Sequence, residues 1–439
     1  MSEEPSNVAE RMRSDWNQRA REDANYYVAF GGRDQDEDAF LATAADVLRL
    51  IERELKRLPQ NGATWRALEI GCGPGRLMKP LSRHFAEIHG VDVSDEMIRL
   101  ARERLRDIPH ARVQAVESAR LAQFAAESFD FIYSYAVFQH IPSRNVVLEY
   151  MRETRRLLKP GGVFHGQFNG LPHASVPDTW SGVVFTADEI RAFTRENGLQ
   201  LLNLDGVDTQ YMWTTWRKPA TQESSRSTVP SIRWLTNAYS GEPLIPDRGR
   251  HAAISVLIEN LPAECDLNNL EILVDGSSAV PIYIGPRATD GIQQVNAWLP
   301  QPVRTGVLPV EVLVAGRRIC PPATARILPA GPLVPRIVSI SDGVNLVEKN
   351  ATSTGFLKIQ IEELSAPHAV HASVDQRPVE RLEIMCTDPR PPRYELNLEL
   401  PKGLSAGPHH LEIRSGPHRL LPAQIEVRPG TPPPATTSA

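Results

Sequence analysis

The sequence predicts an α/β first half, built on a doubly wound, mainly parallel seven-stranded sheet, followed by two all-β sandwich domains. Three observations carry this expectation. Apolar residues in the first half alternate between helical and period-2 spacing, the pattern of strands connected by helices. Proline is sparse there, 10 residues in 1–219 against 27 in 220–439, and proline suits turns and edges but breaks helix interiors and central strands. The second half also repeats itself at an offset of about 100 residues.

The elements follow in order. Asp36 to Leu58 carries Phe40, Leu41, Ala44, Val47, Leu48, Ile51, Leu55 and Leu58 at helical spacing. Ala67-Leu-Glu-Ile70 is a short strand that runs into glycines, with a helix expected from about Leu77. Glu87–Val93 and Ala111–Val116 are the second and third strands, separated by a helix over Asp95–Leu105. Phe129–Tyr135 is the fourth strand. Ser143–Leu158 is a helix stopped by Lys159-Pro-Gly-Gly162, and Gly162–Phe168 is the fifth strand. Thr186-Ala-Asp-Glu189 has the form of a capping box and opens a helix that ends at Gly198. Leu199–Leu204 and Gln210–Trp216 complete the strands.

In the second half, Val274-Asp275-Gly276 matches Val374-Asp375-Gln376, and Leu299-Pro300 matches Leu400-Pro401. Gly306 matches Gly407, Val310-Glu311-Val312 matches Leu411-Glu412-Ile413, and Val229-Pro230 matches Val334-Pro335. Units of this length, with period-2 runs bounded by Gly or Pro, read as small β-sandwiches. In pattern only, they resemble tandem immunoglobulin-like or TIG-type modules. The expected organisation is a helical lid segment over 1–35, the α/β domain over 36–218, a polar linker over 219–228, modules over 229–330 and 331–430, and a disordered tail over 431–439.

Composition narrows the function classes. Of 439 residues, 41% are hydrophobic and 23% charged, the balance of a soluble globular chain. A net charge of -5 offers no basic field for nucleic acid or anionic lipid. No apolar run approaches the ~20 residues that span a bilayer. The N-terminus lacks the basic and apolar regions of a secretory signal. Cys72, Cys265, Cys320 and Cys386 are widely separated, which argues against a zinc site or a disulfide framework and for a cytoplasmic setting. His409-His410 and His418 lack further ligands at metal spacing and read as turn-adjacent surface residues.

The informative segment is Ala67-Leu-Glu-Ile-Gly-Cys-Gly-Pro-Gly-Arg76, a strand that enters three alternating glycines. Glycine tolerates φ > 0 and lets the backbone approach a ligand closely. A dinucleotide site wants GxGxxG, but Arg76 stands at the third glycine position, which disfavours an NAD-dependent oxidoreductase. Glu69 followed by Gly71, Gly73 and Gly75 resembles motif I of the class I (type 11-like) S-adenosylmethionine-dependent methyltransferases. Gly90-Val-Asp-Val-Ser-Asp-Glu-Met97 resembles their second motif, with Asp92 lying 21 residues after Gly71. Phe129-Asp130 and Lys159-Pro-Gly-Gly162 resemble later ones, in the family's order.

The resemblance implies a Rossmann-like fold, S-adenosyl-L-methionine as cofactor, and methyl transfer by in-line displacement at the sulfonium methyl. It implies that Gly71, Cys72, Gly73 and Gly75 shape the loop under the methionine part, that Glu69 helps bind its ammonium, and that Asp92 holds the ribose. Val93 and Met97 would flank the adenine. Glu117-Ser118-Ala119 stands where the family often has Gly-Asp-Ala, so Ser118 would meet the adenine amino group more weakly. Backbone at Ser134 and Tyr135 would meet the methionine end. His140 would face the substrate, either as a general base or as a structural histidine. The run Trp16–Tyr27 would form a lid in which Tyr26 and Tyr27 touch substrate, or else an amphipathic helix packed on the sheet. Trp180, Trp213 and Trp216 would line an acceptor pocket or simply pack. No metal is required. The acceptor is expected to be a small molecule or sugar, with a protein or glycan partner for the β modules. The competing reading is a non-catalytic protein that binds the cofactor or a partner.

Overall fold

The computed structural model describes residues 5–29, 35–59, 64–170, 177–180, 182–220, 229–249, 251–343, 349–364, 366–388 and 393–429. The body of the expected linker (221–228) and the expected tail (431–439) lie outside them. The chain divides into two compact units, Met1–Val28 with Asp36–Ala330, and Ala29–Gln35 with Gly331–Ala439.

The first unit begins with helix α1 (Pro5–Ala29), which kinks at Asp23, where the backbone is extended. The Asp23 carboxylate accepts the amide of Tyr26 at 3.0 Å and so restarts the helix as an N-cap would. The single helix expected over 36–58 is two helices, α2 (Glu37–Ala42) and α3 (Ala45–Leu55). Thr43 divides them: its hydroxyl donates to Phe40 O and accepts from Arg76 Nη1 at 3.0 Å. Then come β1 (Arg66–Ile70), α4 (Met78–Leu81), β2 (Glu87–Asp92), α5 (Asp95–Arg104), β3 (Ala111–Ala115), β4 (Phe129–Ser134), α6 (Arg144–Leu157), β5 (Leu158–Phe168), α7 (Ala187–Glu196), β6 (Gln200–Asp205) and β7 (Met212–Arg217). The helix expected after the glycines is only the single turn α4 and a 3₁₀ turn over Ser82–His84. Pro80, inside it, has no N–H to extend the hydrogen-bond ladder. The capping box at Thr186 and Glu189 is present.

The sheet order is β3-β2-β1-β4-β5-β7-β6, parallel from β3 to β5 and antiparallel at β7. Two clusters cover its faces. One takes apolar residues of α3, α4 and α5; the other takes those of α6 and α7, with fully buried Trp216 stacked on Phe164 at 4.2 Å.

The sheet does not end at β6, as the expectation of seven strands would have it. The following strands are β8 (Ser231–Asn237), β9 (Leu244–Pro246), β10 (Ala253–Glu259), β11 (Leu270–Val274), β12 (Ser277–Ile284), β13 (Ile292–Trp298), β14 (Gly306–Val314), β15 (Arg317–Arg318) and β16 (Ala323–Leu328). β12 pairs with β6 through Tyr283 and Asn203, and Leu267 N donates to Leu201 O at 2.8 Å. Arg191 of α7 donates to the carbonyls of Leu267 and Pro281, and Asn268 Nδ2 to Thr194 Oγ1 at 3.0 Å. One apolar cluster runs from Leu201 and Trp216 into Leu267, Ile272 and Val310. Residues 229–330 therefore do not stand apart from the α/β part; they cover the strand edge it would otherwise expose.

In the second unit, Arg336–Asp342, Phe356–Glu362, Arg393–Glu399 and Arg381–Asp388 form one sheet in that order, among the described residues. A second sheet includes Ala423–Val427, Gly407–Ser415 and Val370–Val374. Both contribute to one core around Ile359, Leu396, Leu411 and Ile413. The matched turns are alike: Asp275 and Gly276, like Asp375 and Gln376, all have positive φ, and Gly306 and Gly407 share a φ of +128°. His409 is not the surface residue expected. It is buried in a strand, with Nδ1 2.6 Å from Asp375 Oδ2 and Nε2 2.8 Å from Ser405 O. Both contacts ask its nitrogens to donate, and they raise its pKa. His410 and His418 are exposed.

Because the β6 edge and its core are shared, ending the chain after residue 218 should expose Leu201, Trp216 and unpaired strand groups. The expected result is aggregation or loss of a cooperative melt, read by size-exclusion chromatography and thermal denaturation against the full chain.

Candidate functional site

β1 stops at Ile70 because the next residues turn back under β2. Gly71 and Cys72 both donate to Val91 O, at 2.8 and 3.0 Å. Gly71, Gly73 and Gly75 have φ of +72°, +50° and +83°. At Gly71 a β-carbon would also overlap the Val137 side chain. Asp92, at the end of β2, fixes the loop: Oδ2 accepts Gly73 N and Oδ1 accepts Ser94 N, both at 2.9 Å. Burial raises the Asp92 pKa, and these amides oppose the rise. The carboxylate keeps acceptor capacity beyond these bonds. Ser94 caps α5 by accepting Met97 N at 3.1 Å.

Glu69 is buried beneath the loop and accepts the Tyr133 hydroxyl at 2.8 Å. Burial pushes its pKa up to about 8, against the pull of Tyr133 and Arg76 and with a push from Asp92. Arg76 is buried as well, 5.7 Å from the Tyr135 ring centre, and its Nε has no hydrogen-bond partner among the described residues. Burial also raises the Cys72 thiol, which is not a reactive thiolate.

The other expected residues fall around this loop. Met97 is buried against Ala20 and Ala24 of α1, and Val93 is half-buried. Glu117 and Ser118 are exposed beyond β3, with Ser118 Oγ 3.5 Å from Arg120 O, while Ala119 is buried in the core. Ser134 Oγ donates to Ile70 O at 2.9 Å, so its hydroxyl ties β4 to β1. Tyr135 lies parallel to Trp213 at 5.4 Å, and Trp213 stacks on His165 at 4.7 Å. Tyr26 is buried, and the Tyr27 hydroxyl donates to Glu22 at 2.7 Å.

His140 sits in a 3₁₀ turn after β4. Its Nδ1 is 2.7 Å from Trp180 O, so Nδ1 carries the proton. A chain of amides agrees. Gln167 Oε1 accepts Ala136 N and its Nε2 donates to Gln139 Oε1, which turns Gln139 Nε2 toward His140 Nε2 at 3.3 Å. Burial drives the His140 pKa down to about 4. The ring is therefore a neutral imidazole with its lone pair on Nε2.

Several contacts around the site were not singled out in the sequence, although most fall in or beside the Trp16–Tyr27 run. Asn17 Oδ1 of α1 accepts Ser94 Oγ at 2.7 Å and Glu96 N at 3.1 Å. Val28 reaches within 3.5 Å of where a Gly73 β-carbon would stand. Arg19 lies over Trp16 at 4.8 Å and Trp180 at 5.2 Å and donates to Thr179, whose hydroxyl donates to Asp15 at 2.6 Å. Trp16 also meets the His140 ring edge-on at 5.4 Å. The signal was the spacing of Asp15, Trp16 and Arg19 on one helical face. Of Trp180, Trp213 and Trp216, the candidates for an acceptor pocket, Trp180 is the one that approaches His140, at 5.6 Å.

A family model described as a methyltransferase domain matches residues 68–165. The chain is 30% identical over 215 residues to the ubiquinone biosynthesis O-methyltransferase of Xanthomonas axonopodis pv. citri, covering 44% of this chain and 82% of that protein. The chain belongs to the S-adenosylmethionine-dependent methyltransferases. This methyltransferase is also 34% identical over 97 residues to phosphoethanolamine N-methyltransferase 2 of Caenorhabditis elegans, 22% of each chain. Among solved structures, geranyl diphosphate C-methyltransferase from Streptomyces coelicolor A3(2) is similar, with 14% identity, 49% of this chain and all of that chain covered, and a TM-score of 0.37.

The residues present fit the cofactor. Its amino-acid end carries one ammonium and one carboxylate, and the loop of this methyltransferase sets a buried acid, Glu69, beside a buried cation, Arg76, whose Nε–H is unpaired among the described residues. Gly71→Ala should lower the melting temperature more than Gly73→Ala, because only the first drives a β-carbon into Val137. A positive-φ alanine alone costs ~1–2 kcal/mol. Thermal melts of the two variants check the order.

Proposed function

We propose that this methyltransferase methylates an acidic hydroxyl, such as a phenol or enol, on a small molecule. The observation that carries the reading is the buried neutral His140, with Nδ1 fixed by Trp180 O and Nε2 left as the acceptor atom. When bound, S-adenosylmethionine supplies a methyl group made electrophilic by its sulfonium. The chain supplies alignment, a dry site and a place for the acceptor's proton.

Glu69 holds the ammonium and Arg76 the carboxylate of the cofactor's amino-acid end. Gly71, Cys72, Gly73 and Gly75 give the loop its open backbone, and Asp92 accepts from the ribose hydroxyls. Val93 and Met97 flank the adenine, Ser118 meets its amino group, and Glu117 and Ala119 set that turn. Backbone at Ser134 and Tyr135 faces the methionine end. α1 serves as the lid, with Tyr26 and Tyr27 toward the acceptor.

His140 Nε2 takes the hydroxyl proton in place of its contact with Gln139. A base whose conjugate acid has a pKa near 4 suits an acidic hydroxyl better than a sugar alcohol. The name of the Xanthomonas axonopodis relative, an O-methyltransferase, agrees with oxygen as the acceptor atom. The stretch 229–330, read as a sandwich, braces the β6 edge, and neither β module takes part in the chemistry.

The identifying experiment is mass spectrometry of metabolite extracts incubated with the protein and methyl-labelled cofactor, where a labelled phenol or enol is expected. On that acceptor, His140→Ala should lower kcat by about 10²–10⁴ while the affinity for S-adenosylmethionine holds; unchanged turnover would remove the base role.

Glu69 makes a second expectation. Its folded pKa, about 8, lies above its ordinary 4.5, so the stability of the cofactor-free protein falls as pH rises through that window. A bound ammonium favours the ionised acid. Binding of S-adenosylmethionine at pH 6–7 should therefore release a proton, and affinity should rise with pH. Calorimetry in buffers of different ionisation enthalpy reads this, and Glu69→Gln should abolish the release.

A further inference from the structure

Gln167 of β5 is fully buried, and its amide orientation is decided by groups that cannot turn over. Its Oε1 accepts Ala136 N at 3.0 Å, and its Nε2 donates to two backbone carbonyls, Gln210 O at 2.7 Å and Phe168 O at 3.1 Å. The same Nε2 donates to Gln139 Oε1 at 2.9 Å. With its oxygen engaged there, the Gln139 amide has its nitrogen left to face His140 Nε2, at 3.3 Å. Gln139 is buried too, and its backbone oxygen accepts Gly182 N at 2.6 Å, which holds the turn that carries it.

This arrangement opposes a second proton on the ring. Nδ1 already donates to Trp180 O, so the proton must enter at Nε2, where it would meet the Gln139 N–H, donor against donor. Turning the Gln139 amide over removes that conflict and makes another, Gln139 Nε2 against Gln167 Nε2. Gln167 cannot turn in response, because its oxygen would then face two carbonyls and its nitrogen the Ala136 N–H. Resistance to protonation is therefore passed along two side chains to fixed backbone groups.

We propose that Gln167 is a positioning residue for the methyl transfer: acting through Gln139, it keeps His140 Nε2 a weak proton acceptor and so reserves the reaction for readily ionised hydroxyls. The inference rests on the reading of His140 as the base. The other influences on the ring come from elsewhere. Burial disfavours the imidazolium most, Arg19 of α1 adds to that, and Asp178 and the Trp180 carbonyl favour it. Arg19 is engaged by Thr179, and the rings of Trp16 and Trp180 pack against the imidazole. The contact at Nε2 itself is that of Gln139, so a change at Gln139 or Gln167 alters the polar partner and leaves these surroundings in place.

The test uses the full, cofactor-free chain with its histidines labelled with nitrogen-15. Long-range proton–nitrogen NMR reads the protonation of each ring against pH, and the His140→Ala spectrum identifies His140 among the 12 histidines. In the wild-type protein His140 should stay neutral, with its hydrogen on Nδ1, above about pH 5. Gln139→Leu removes the opposing N–H and should raise the titration midpoint by about one pH unit, roughly a tenfold gain in proton affinity. Gln167→Leu should do the same, and Gln139→Glu, which sets an acceptor against Nε2, should raise the midpoint further. In the Gln139→Leu background, Gln167→Leu should add nothing, since it acts through Gln139. A residue that merely braced the fold would lower the melting temperature and leave the midpoint in place. The Gln139 variants keep Gln167 and its backbone bonds, so the test survives if Gln167→Leu does not fold. An unmoved midpoint in Gln139→Leu and Gln139→Glu, or a Gln167→Leu shift that persists in the Gln139→Leu background, overturns the proposal. Because the midpoints are read without an acceptor, they are separate from the turnover of His140→Ala, which tests the base role.

Discussion

Asp92 accepts the amide of Gly73 with one oxygen and that of Ser94 with the other. A single carboxylate thereby sets both the glycine loop and the first turn of α5, and much of the site is referred to it. Ser94, placed by that bond, caps the helix and donates to Asn17, which brings α1 across the loop. The loop in turn is anchored on β2 by two amides that share the Val91 carbonyl. A residue that orders this much backbone still has lone pairs to offer a ligand, since a carboxylate accepts up to about four hydrogen bonds. The structural duty and the proposed ribose contact ask for the same thing, an acceptor fixed at the end of a parallel strand.

The second constraint is the outer edge of β6. A seven-stranded sheet of this order would expose it, and here the chain covers it with its own next segment. The cover is polar where it meets the strand and apolar beneath. Leu201 N donates to Asp266 Oδ2 at 3.2 Å and Gln200 Nε2 to Ala263 O at 2.8 Å, while Leu261, Cys265 and Leu267 join the α/β core. On the opposite face Glu54 is fully buried; against the upward push of burial, Arg57 first, then His165 and Arg53, hold its pKa down to about 2. Both arginines lie over Tyr283, so an ion pair of α3 also grips the added strands.

Legibility followed locality. The loop glycines, Asp92, the capping box at Thr186 and the alternation of strands and helices are written within a few residues of one another, and short-range sterics and hydrogen bonding determine them. The split of the helix over 36–58 was hidden because it turns on Thr43 meeting Arg76, 33 residues away. The burial of His409 was hidden for the same reason: its partner, Asp375, is 34 residues distant. Proline density announced strands but not which edge they would cover. The neutral state of His140 needed the amide chain through Gln167 and Gln139, a set of contacts between separate elements with no signature in spacing.

The placement of α1 couples several parts of the first unit. Its middle sits against the start of α5 through Asn17, its end reaches Gly73 through Val28, and Trp16 and Arg19 on the same helix press on His140 and Trp180. One helix thus touches the start of α5, the glycine loop and the His140 ring. A displacement of α1 would strain all three contacts in concert, and the kink at Asp23 divides the helix between Arg19 and Val28.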